Sequence, residues 1–409
     1  MSLDLILRNA RIAGRENELL DIGVAQGRVV EIAAKISSDA LSEDAGGHLV
    51  IPGLVDTHVH LDKSCILERC QCEQGTLQEA IVQVAAAKRD FTEDDIYARG
   101  RRTLEKAILQ GTTHMRTHVE VDPRISLKGF AAIKRLKRDY AWAIDLQICV
   151  FPQEGLLNDP GTEELLVAAC DDGADLIGGC PYTDSDRPGQ IARIFAIADQ
   201  HDIDIDFHLD FDLDTSWMDI EEVCRQTEAH GYGGRVAVGH VTKLSALPPA
   251  QLEIVARRLA ETGVAVTVLP ATDLFLMGRG HDRNVPRGVT PAHWLVKQGV
   301  ICSLATNNVL NPFTPFGDCS LLRMANLYAN VSQVGTTSDI AACLEMVTTL
   351  PARLMNIHSY GIAVGHSADL VVLDNVSRAM SVAEIAQPLM GFKRGRRSFV
   401  RTAGFLCAP

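Results

Sequence analysis

Strand-like and helix-like segments alternate through the middle of the chain. Short apolar runs typical of buried strands recur eight times between residues 53 and 305, and each but the last is followed by a stretch with helical spacing of its apolar residues. Parallel strands connected by helices form an open sheet or a closed barrel, and eight repeats favour the barrel. We therefore predict an α/β fold in which residues 53–361 form a (β/α)8 barrel of the TIM type.

The two ends of the chain differ from the middle because their strand-like segments are not separated by helices. Residues 5–12 have this character near the start, and residues 368–373 have it near the end. We expect residues 1–52 and 362–409 to combine into one small β-sandwich domain beside the barrel.

Charge and composition limit the partners of such a chain. The formal net charge of −13 argues against nucleic acid and leaves small neutral or cationic ligands open. No apolar run reaches the roughly 18 residues that a membrane span requires. Eleven scattered cysteines are typical of reduced thiols in an intracellular protein. We expect a cytoplasmic homo-oligomer that binds a small molecule and has no nucleic acid or membrane partner.

Histidines stand at the carboxyl ends of three predicted strands. His58 and His60 end the first strand and point to the same side, because side chains alternate along a strand. His208 ends the fifth strand and His240 ends the sixth. Chemistry in such a barrel takes place at the carboxyl ends of the strands, and converging imidazoles are typical metal ligands. One histidine pair alone can equally be structural, but four histidines at one rim favour a metal site.

Six segments carry motifs that are specific in combination. They are residues 53–60, 114–119, 145–155, 238–240, 311–317 and 365–373. Together they resemble the amidohydrolase superfamily, and within it the cytosine deaminase-like branch. The resemblance covers nearly the whole chain and implies the same barrel with a domain built from both termini.

The resemblance implies one divalent metal ion per chain, either zinc or iron. His58, His60 and His208 match the metal ligands of the family, and His240 matches the histidine that orients the water bound to the metal. The chemistry requires such ligands because a divalent metal lowers the pKa of bound water to about 7. Groups near the metal must then transfer protons to the departing nitrogen.

The resemblance also implies a binding site for a ring. Gln153 matches the glutamine that reads the amide edge of a pyrimidine, and Phe313 stands where an aromatic residue lines the pocket. His118 is a candidate for substrate contact, with support of the metal ligands or packing at the rim as alternatives. Lys63 is interpreted as a loop residue or a contact to an anionic group of the ligand. Asp273 is interpreted as part of a solvated charged loop, with coverage of the pocket as the alternative.

Two residues depart from the pattern of the family. Asn307 replaces an aspartate that binds the metal and accepts a proton, and Phe211 replaces a glutamate that carries a proton. Asn307 stays a candidate metal ligand and catalytic residue, but an amide coordinates weakly and cannot act as a base, so metal retention is left open. If the strand continues past His208, Asp210 and Asp212 share its inward face and are candidate proton carriers. Capping of the following loop is the alternative for Asp212.

The expected function is metal-dependent hydrolysis of a C–N bond in a nitrogen heterocycle or cyclic amide, such as deamination of a pyrimidine-like or triazine-like ring. Release of a substituted amine, or opening of a cyclic amide, is one alternative. A second alternative is a homologue that binds a heterocycle without turning it over, because Asn307 and Phe211 replace the expected carboxylates.

Overall fold

The computed structural model of the protein describes residues 2–402, 404, 406 and 407. The amino-terminal part forms short strands, as the sequence predicts. They are β1 (Leu5–Ile12), β2 (Arg15–Ala25), β3 (Arg28–Ala33), β4 (Leu41–Asp44) and β5 (Leu49–Pro52). Strand β1 pairs antiparallel with β2 and parallel with both β4 and β5, so that it lies in the interior of this sheet.

A second sheet occupies the middle of the chain. Its eight strands are β6 (Leu54–Val59), β7 (Thr112–Glu120), β8 (Asp145–Phe151), β9 (Leu176–Ile177), β10 (Asp204–Leu209), β11 (Val236–His240), β12 (Ala265–Val268) and β13 (Cys302–Leu304). They lie side by side in sequence order, and each pairs in parallel with the next. A parallel bridge between Val59 and Asn307 joins β6 to the segment after β13. The sheet is therefore a nearly closed parallel barrel, as predicted.

In the described residues, the first nine α-helices lie between barrel strands, as the alternating pattern predicts, and the other four follow β13. The helices are α1 (Leu77–Ala87), α2 (Glu93–Leu109), α3 (Lys128–Asp139), α4 (Thr162–Asp171), α5 (Arg187–His201), α6 (Ile220–His230), α7 (Pro249–Thr262), α8 (Pro270–Leu276), α9 (Ala292–Lys297), α10 (Leu321–Val331), α11 (Thr337–Glu345), α12 (Thr349–Leu354) and α13 (Arg378–Ala383). In the described part of the chain, no helix combines enough length with enough apolar character to cross a membrane.

The carboxyl-terminal residues return to the first sheet. Strands β14 (Leu370–Leu373), β15 (Pro388–Lys393) and β16 (Arg396–Val400) pair antiparallel in sequence order. Strand β14 also pairs antiparallel with β5, so both ends of the chain contribute to a single eight-stranded sheet. The expectation that residues 1–52 and 362–409 form a two-layer sandwich stays a prediction.

Gly53 lies at the junction between the two sheets. It interrupts one apolar run, so that β5 joins the terminal sheet and β6 opens the barrel. A Cβ atom at this position would lie 2.2 Å from Oγ1 of Thr113, and only glycine allows this close approach to β7. The N–H of Gly53 donates to the carbonyl oxygen of Asp369 (2.9 Å), and its own carbonyl accepts from the hydroxyl of Tyr360 (2.7 Å).

Lys393 joins the terminal sheet to the barrel through a buried ion cluster. Its ammonium nitrogen lies 2.9 Å from a carboxylate oxygen of Asp369 and 2.8 Å from one of Asp145. It also donates to the carbonyl oxygen of Thr113 (3.0 Å). An ammonium group is costly to bury unless carboxylates and hydrogen bonds compensate its lost hydration. The cluster therefore fixes β15 against the starts of β7 and β8.

Replacing Lys393 with methionine should destabilise the protein by about 3–5 kcal/mol, because Asp369 then stays buried without its counter-charge. Urea unfolding followed by circular dichroism measures this loss. Lys137→Met is the matched control, since Lys137 pairs with Asp175 at the partly exposed surface (2.7 Å) and its loss should cost less than about 1 kcal/mol. Equal losses in the two variants would contradict the anchoring role of Lys393.

Candidate active site

Three buried imidazoles converge at the carboxyl end of the barrel. Nε2 of His208 lies 3.0 Å from Nε2 of His58 and 3.2 Å from Nε2 of His60. Burial, followed by the charges of neighbouring groups, lowers the pKa of each imidazole well below its usual value. A neutral imidazole has one ring nitrogen whose lone pair a cation can bind. His208 thus lies close to both other predicted metal ligands. The ligand atoms of His58, His208 and His240 all lie within 4.8 Å of one another, so this end of the barrel could hold a divalent cation.

Packing against two other rings holds these imidazoles in place. His118 stacks on His58 with ring centroids 3.7 Å apart, and Phe151 stacks on His208 at 4.4 Å. Gly239, on β11, leaves room for His58, because a Cβ atom there would lie 3.1 Å from the His58 ring. These contacts leave the converging nitrogens as the polar side of the cluster.

His118 lies behind the metal-ligand candidates. Its Nε2 atom lies 3.5 Å from a carboxylate oxygen of Asp206, whose other oxygen accepts from Arg116 (2.7 Å). All three side chains are buried. The contacts of His118 to Asp206 and to the His58 ring agree with support of the metal ligands, one of the two alternatives to substrate contact.

His240 forms a hydrogen-bonded pair with Asp273. The two side chains meet at Nδ1 of His240 and Oδ1 of Asp273, 2.6 Å apart, and Asp273 also accepts from the N–H of Leu269 (3.2 Å). Burial raises the pKa of Asp273, while His240 opposes that rise. The ring centroid of His240 lies 6.0 Å from that of His58 and 5.9 Å from that of His208. A carboxylate at Nδ1 leaves Nε2 as the atom that can exchange a proton within the site.

The interpretation of Asp273 as part of a solvated loop is wrong. The residue lies fully buried in α8, directly after strand β12. The available signal was its place just beyond the carboxyl end of a barrel strand, where functional residues of this fold collect.

Asn307 sits where the barrel closes. Its N–H donates to the carbonyl oxygen of His58 (2.7 Å), and its carbonyl accepts from the N–H of His60 (3.0 Å). Both polar atoms of its side-chain amide are buried without a hydrogen-bond partner among the described residues. Such an amide is costly unless it meets a ligand, so Asn307 is suited to complete a site next to the two histidines.

The two acids proposed as proton carriers lie in different surroundings. Both carboxylate oxygens of Asp210 accept from backbone N–H groups at the start of α6, those of Asp219 (2.9 Å) and Ile220 (3.1 Å). Burial raises the pKa of Asp210 to about 7. Asp212 is half-exposed, and Lys243 lies 3.3 Å from its carboxylate. The structure therefore does not bring either acid into contact with the converging imidazoles, and their proton-carrying role stays a prediction.

Gln153 and Phe313 meet around Lys63. The ammonium group of Lys63 donates to Oε1 of Gln153 (3.2 Å) and to Glu120 (2.6 Å), and it lies 4.5 Å from the centroid of the Phe313 ring. Nε2 of Gln153 donates to Sγ of Cys180 (3.3 Å). Lys63 lies in a turn after β6, so it is a loop residue, but its side chain is buried; contact with an anionic ligand group stays a prediction.

A buried charge network continues from Lys63. Lys88 binds Glu120 (3.0 Å), Asp122 (2.6 Å) and Glu154 (2.6 Å) through its single ammonium group. Burial, together with the charge of Glu120, raises the pKa of Glu154 to about 8. Sequence reasoning missed this network, because its members come from separate strands and loops and share no motif.

A cavity of about 560 Å³ opens beside these residues. Its walls come from α1 and from the segments after β8, β9 and β10; the lining side chains are Leu77, Gln78, Ile81, Glu154, Tyr182, Thr183, Arg187, Phe211 and Asp212. Phe211 forms part of the wall and also packs on His240, with ring centroids 3.7 Å apart. The cavity is large enough for a single ring, and the Phe211 ring connects its wall to His240, although none of the site histidines lines it.

Comparison with known proteins agrees with this arrangement. A model of the family described as "Amidohydrolase family" matches residues 131–399. An N-isopropylammelide isopropyl amidohydrolase of Pseudomonas sp. (strain ADP) is 30% identical over 404 residues, which cover 96% of this chain and 96% of that protein. A pterin deaminase of Rhizobium rhizogenes (strain K84 / ATCC BAA-868) is 28% identical over 362 residues, or 86% of this chain and 81% of that protein.

Solved structures extend the likeness to the fold. The crystal structure of 5-methylcytosine deaminase from Klebsiella pneumoniae liganded with 5-fluorocytosine superimposes with a TM-score of 0.94 and 28% identity. The match covers 99% of each chain. The chain therefore belongs to the amidohydrolase family, which confirms the likeness inferred from the sequence and the prediction of a hydrolase that acts on carbon–nitrogen bonds other than peptide bonds.

Proposed function

We propose that this protein hydrolyses a C–N bond at a ring carbon of a nitrogen heterocycle and requires a divalent metal ion. The observation that carries the proposal is the convergence of three neutral imidazole nitrogens, 3.0 and 3.2 Å apart, at the carboxyl end of the barrel. Its relatives support the substrate class, since they are named for ammelide, pterin and methylcytosine chemistry.

His58, His60 and His208 would hold one zinc or iron ion, with the unpaired amide of Asn307 beside them. A divalent ion at this place supplies Lewis-acid activation of water for attack on an sp² carbon. Histidine nitrogens suit both zinc and iron, so the ligand set alone does not choose between them.

His240 is the proton carrier of the proposal. Its Nδ1–H donates to Asp273, so Nε2 accepts a proton and later returns it to the departing nitrogen. His240 and Asp273 together supply the proton transfer that Phe211 cannot perform. The Phe211 ring packs on His240 and excludes water from one face of the imidazole. Gln153 and Phe313 contact the ring, and Asn307 contacts the metal or the attacking water.

There are two alternatives to this proposal. One concerns which amine leaves the ring, and the other is that the protein binds the ring without hydrolysing it. Departure of ammonia and departure of a substituted amine are both compatible with the relatives, whose names include deaminases and an isopropyl amidohydrolase. Binding of a ring without turnover is favoured by one observation, the replacement of two expected carboxylates by Asn307 and Phe211.

Replacing His208 with alanine should abolish retention of zinc or iron and reduce turnover at least a hundredfold, because two imidazoles remain where three converged. Inductively coupled plasma mass spectrometry of purified protein measures the metal. His281→Ala, in an exposed segment away from the barrel strands, should keep full metal content. Metal-free protein with turnover unaffected by a chelator would contradict the proposal.

Asp273→Asn should lower kcat by about 10²-fold or more while KM and metal content change little. The amide can donate to Nδ1 and so favour the wrong tautomer of His240, and proton transfer by a positioned histidine contributes about 10²–10⁴-fold to catalysis. Asp212→Asn, at the half-exposed cavity wall, is the comparison. A larger loss in the Asp212 variant would move the proton-carrying role from His240 to Asp212.

We expect the zinc-loaded protein to release either ammonia or an alkylamine from at least one ring in a panel of cytosine, isocytosine, pterin, ammelide and N-isopropylammelide. A coupled assay for ammonia and chromatography for isopropylamine distinguish the two leaving groups. Failure of every ring, together with turnover acquired by Asn307→Asp, would establish binding without catalysis in the natural chain.

A further inference from the structure

Lys63 places a positive charge inside the proposed ring-binding site. Its ammonium group lies 4.5 Å from the centroid of Phe313 and 5.6 Å from that of Phe151, and the Phe151 ring also stacks on His208. Only 2% of the residue is exposed. The ring centroid of His60 lies 5.5 Å from that of the same Phe151 ring. The ammonium group is therefore a neighbour of the imidazole cluster and not part of a surface loop.

Lys63 also determines which hydrogen bonds Gln153 can offer. Oε1 of Gln153 accepts from Lys63 (3.2 Å), and one N–H of its amide points to the weak acceptor Sγ of Cys180 (3.3 Å). An ammonium group has three donors and an amide nitrogen has two, so each retains one N–H after these contacts and the Lys63–Glu120 bond. Two neighbouring free donors match a ring edge with two acceptors, such as an oxygen beside a deprotonated nitrogen.

The acids around Lys63 are already engaged by other groups. Glu120 binds Lys63 and Lys88, and Asp122 and Glu154 bind Lys88. The buried carboxylate of Asp62 accepts from the backbone N–H groups of Lys63 and Glu120. None of these carboxylates is therefore left without a partner beside a ligand.

Two positions of the site that are acidic in the related pattern are neutral in this chain. Phe211 and Asn307 stand where the related pattern has carboxylates. Phe211 packs on His240, and Asn307 is bonded through its backbone to His58 and His60, so neither position adds a negative charge near the imidazoles.

On the basis of the proposed function, we propose that the site selects oxo-heterocycles of the imide type in their anionic form, with Lys63 and Gln153 donating to an oxygen and an adjacent ring nitrogen. Lys63 is thus a residue that determines specificity. It anchors the ring by the edge that does not react, and the opposite edge faces the imidazole cluster. Neutral rings that present an N–H donor at this edge would meet an N–H donor of the protein and bind poorly.

The test compares two rings of the same size at pH 8, 6-azauracil, which has largely lost a ring N–H proton and is an anion, and uracil, which is neutral. Isothermal titration calorimetry of the zinc-loaded protein should show 6-azauracil bound at least about tenfold more tightly, since a hydrogen bond to a charged group contributes about tenfold or more in affinity. In the double variant Lys63→Met/Glu120→Gln, which removes one cation and one anion together, the preference should fall below about threefold.

Two further variants separate the charge of Lys63 from its structural role. Lys63→Arg retains the cation and should retain the preference for 6-azauracil. Glu120→Gln alone should retain it as well, because Lys63 is still present. Metal content and circular dichroism, measured on each variant, identify any change in fold. Equal affinities of the natural protein for the two rings, or an undiminished preference in the double variant, would overturn the inference.

The outcome is distinguishable from failure of the proposed function. Turnover of a neutral ring without any preference for 6-azauracil would leave a hydrolase whose specificity does not depend on Lys63. A preference that depends on Lys63, in a protein that retains no metal and turns over no ring, would leave an anion-binding site in a chain without the proposed activity.

Discussion

The burial of His58 and His60 against the imidazole of His208 is the constraint on which the rest of the site depends. Their Nε2 atoms lie 3.0 and 3.2 Å apart, and no arrangement of imidazole protons satisfies all three at once without a further partner. Ring stacking by His118 and Phe151 and the small residue Gly239 hold the imidazoles in this position. Strain is concentrated here too, since Asp210, His240, Val241 and Asn307 all have positive φ at the ends of barrel strands.

The barrel and the histidine cluster follow from the sequence because both depend on local periodicity. Alternation of apolar runs and helical stretches predicts eight parallel strands, and the fold then places His58, His208 and His240 at one rim. The alternation of side chains between the two faces of a strand no longer applies one residue beyond the end of β10. Asp210 would share the inward face of His208 if β10 continued, but its φ of 48° turns the chain, and its carboxylate binds the start of α6 instead.

The buried charges were not predictable in the same way. Lys63, Glu120 and Glu154 lie far apart in the sequence and belong to one network only because β6, β7 and β8 are neighbours. Charged residues are usually exposed, so no local pattern predicts that these three side chains meet in the interior. Asp273 shows the same difficulty, since its role depends on the imidazole that it meets. A residue that compensates the charge of another buried group can be recognised only when the positions of both groups in the fold are known.

The net charge of the chain and the charge of Lys63 lead to opposite expectations for the charge of the ligand. The distance from each charge to the ligand decides which expectation applies. The value of −13 for the whole chain leaves neutral or cationic ligands open, but interactions between exposed charges are screened beyond about 8–10 Å. The ammonium group of Lys63 is buried next to the proposed ring-binding residues, where screening is weak, and the nearest carboxylates are already engaged with Lys63 and Lys88. The proposed preference for an anion therefore depends on this one buried cation and not on the net charge of the protein.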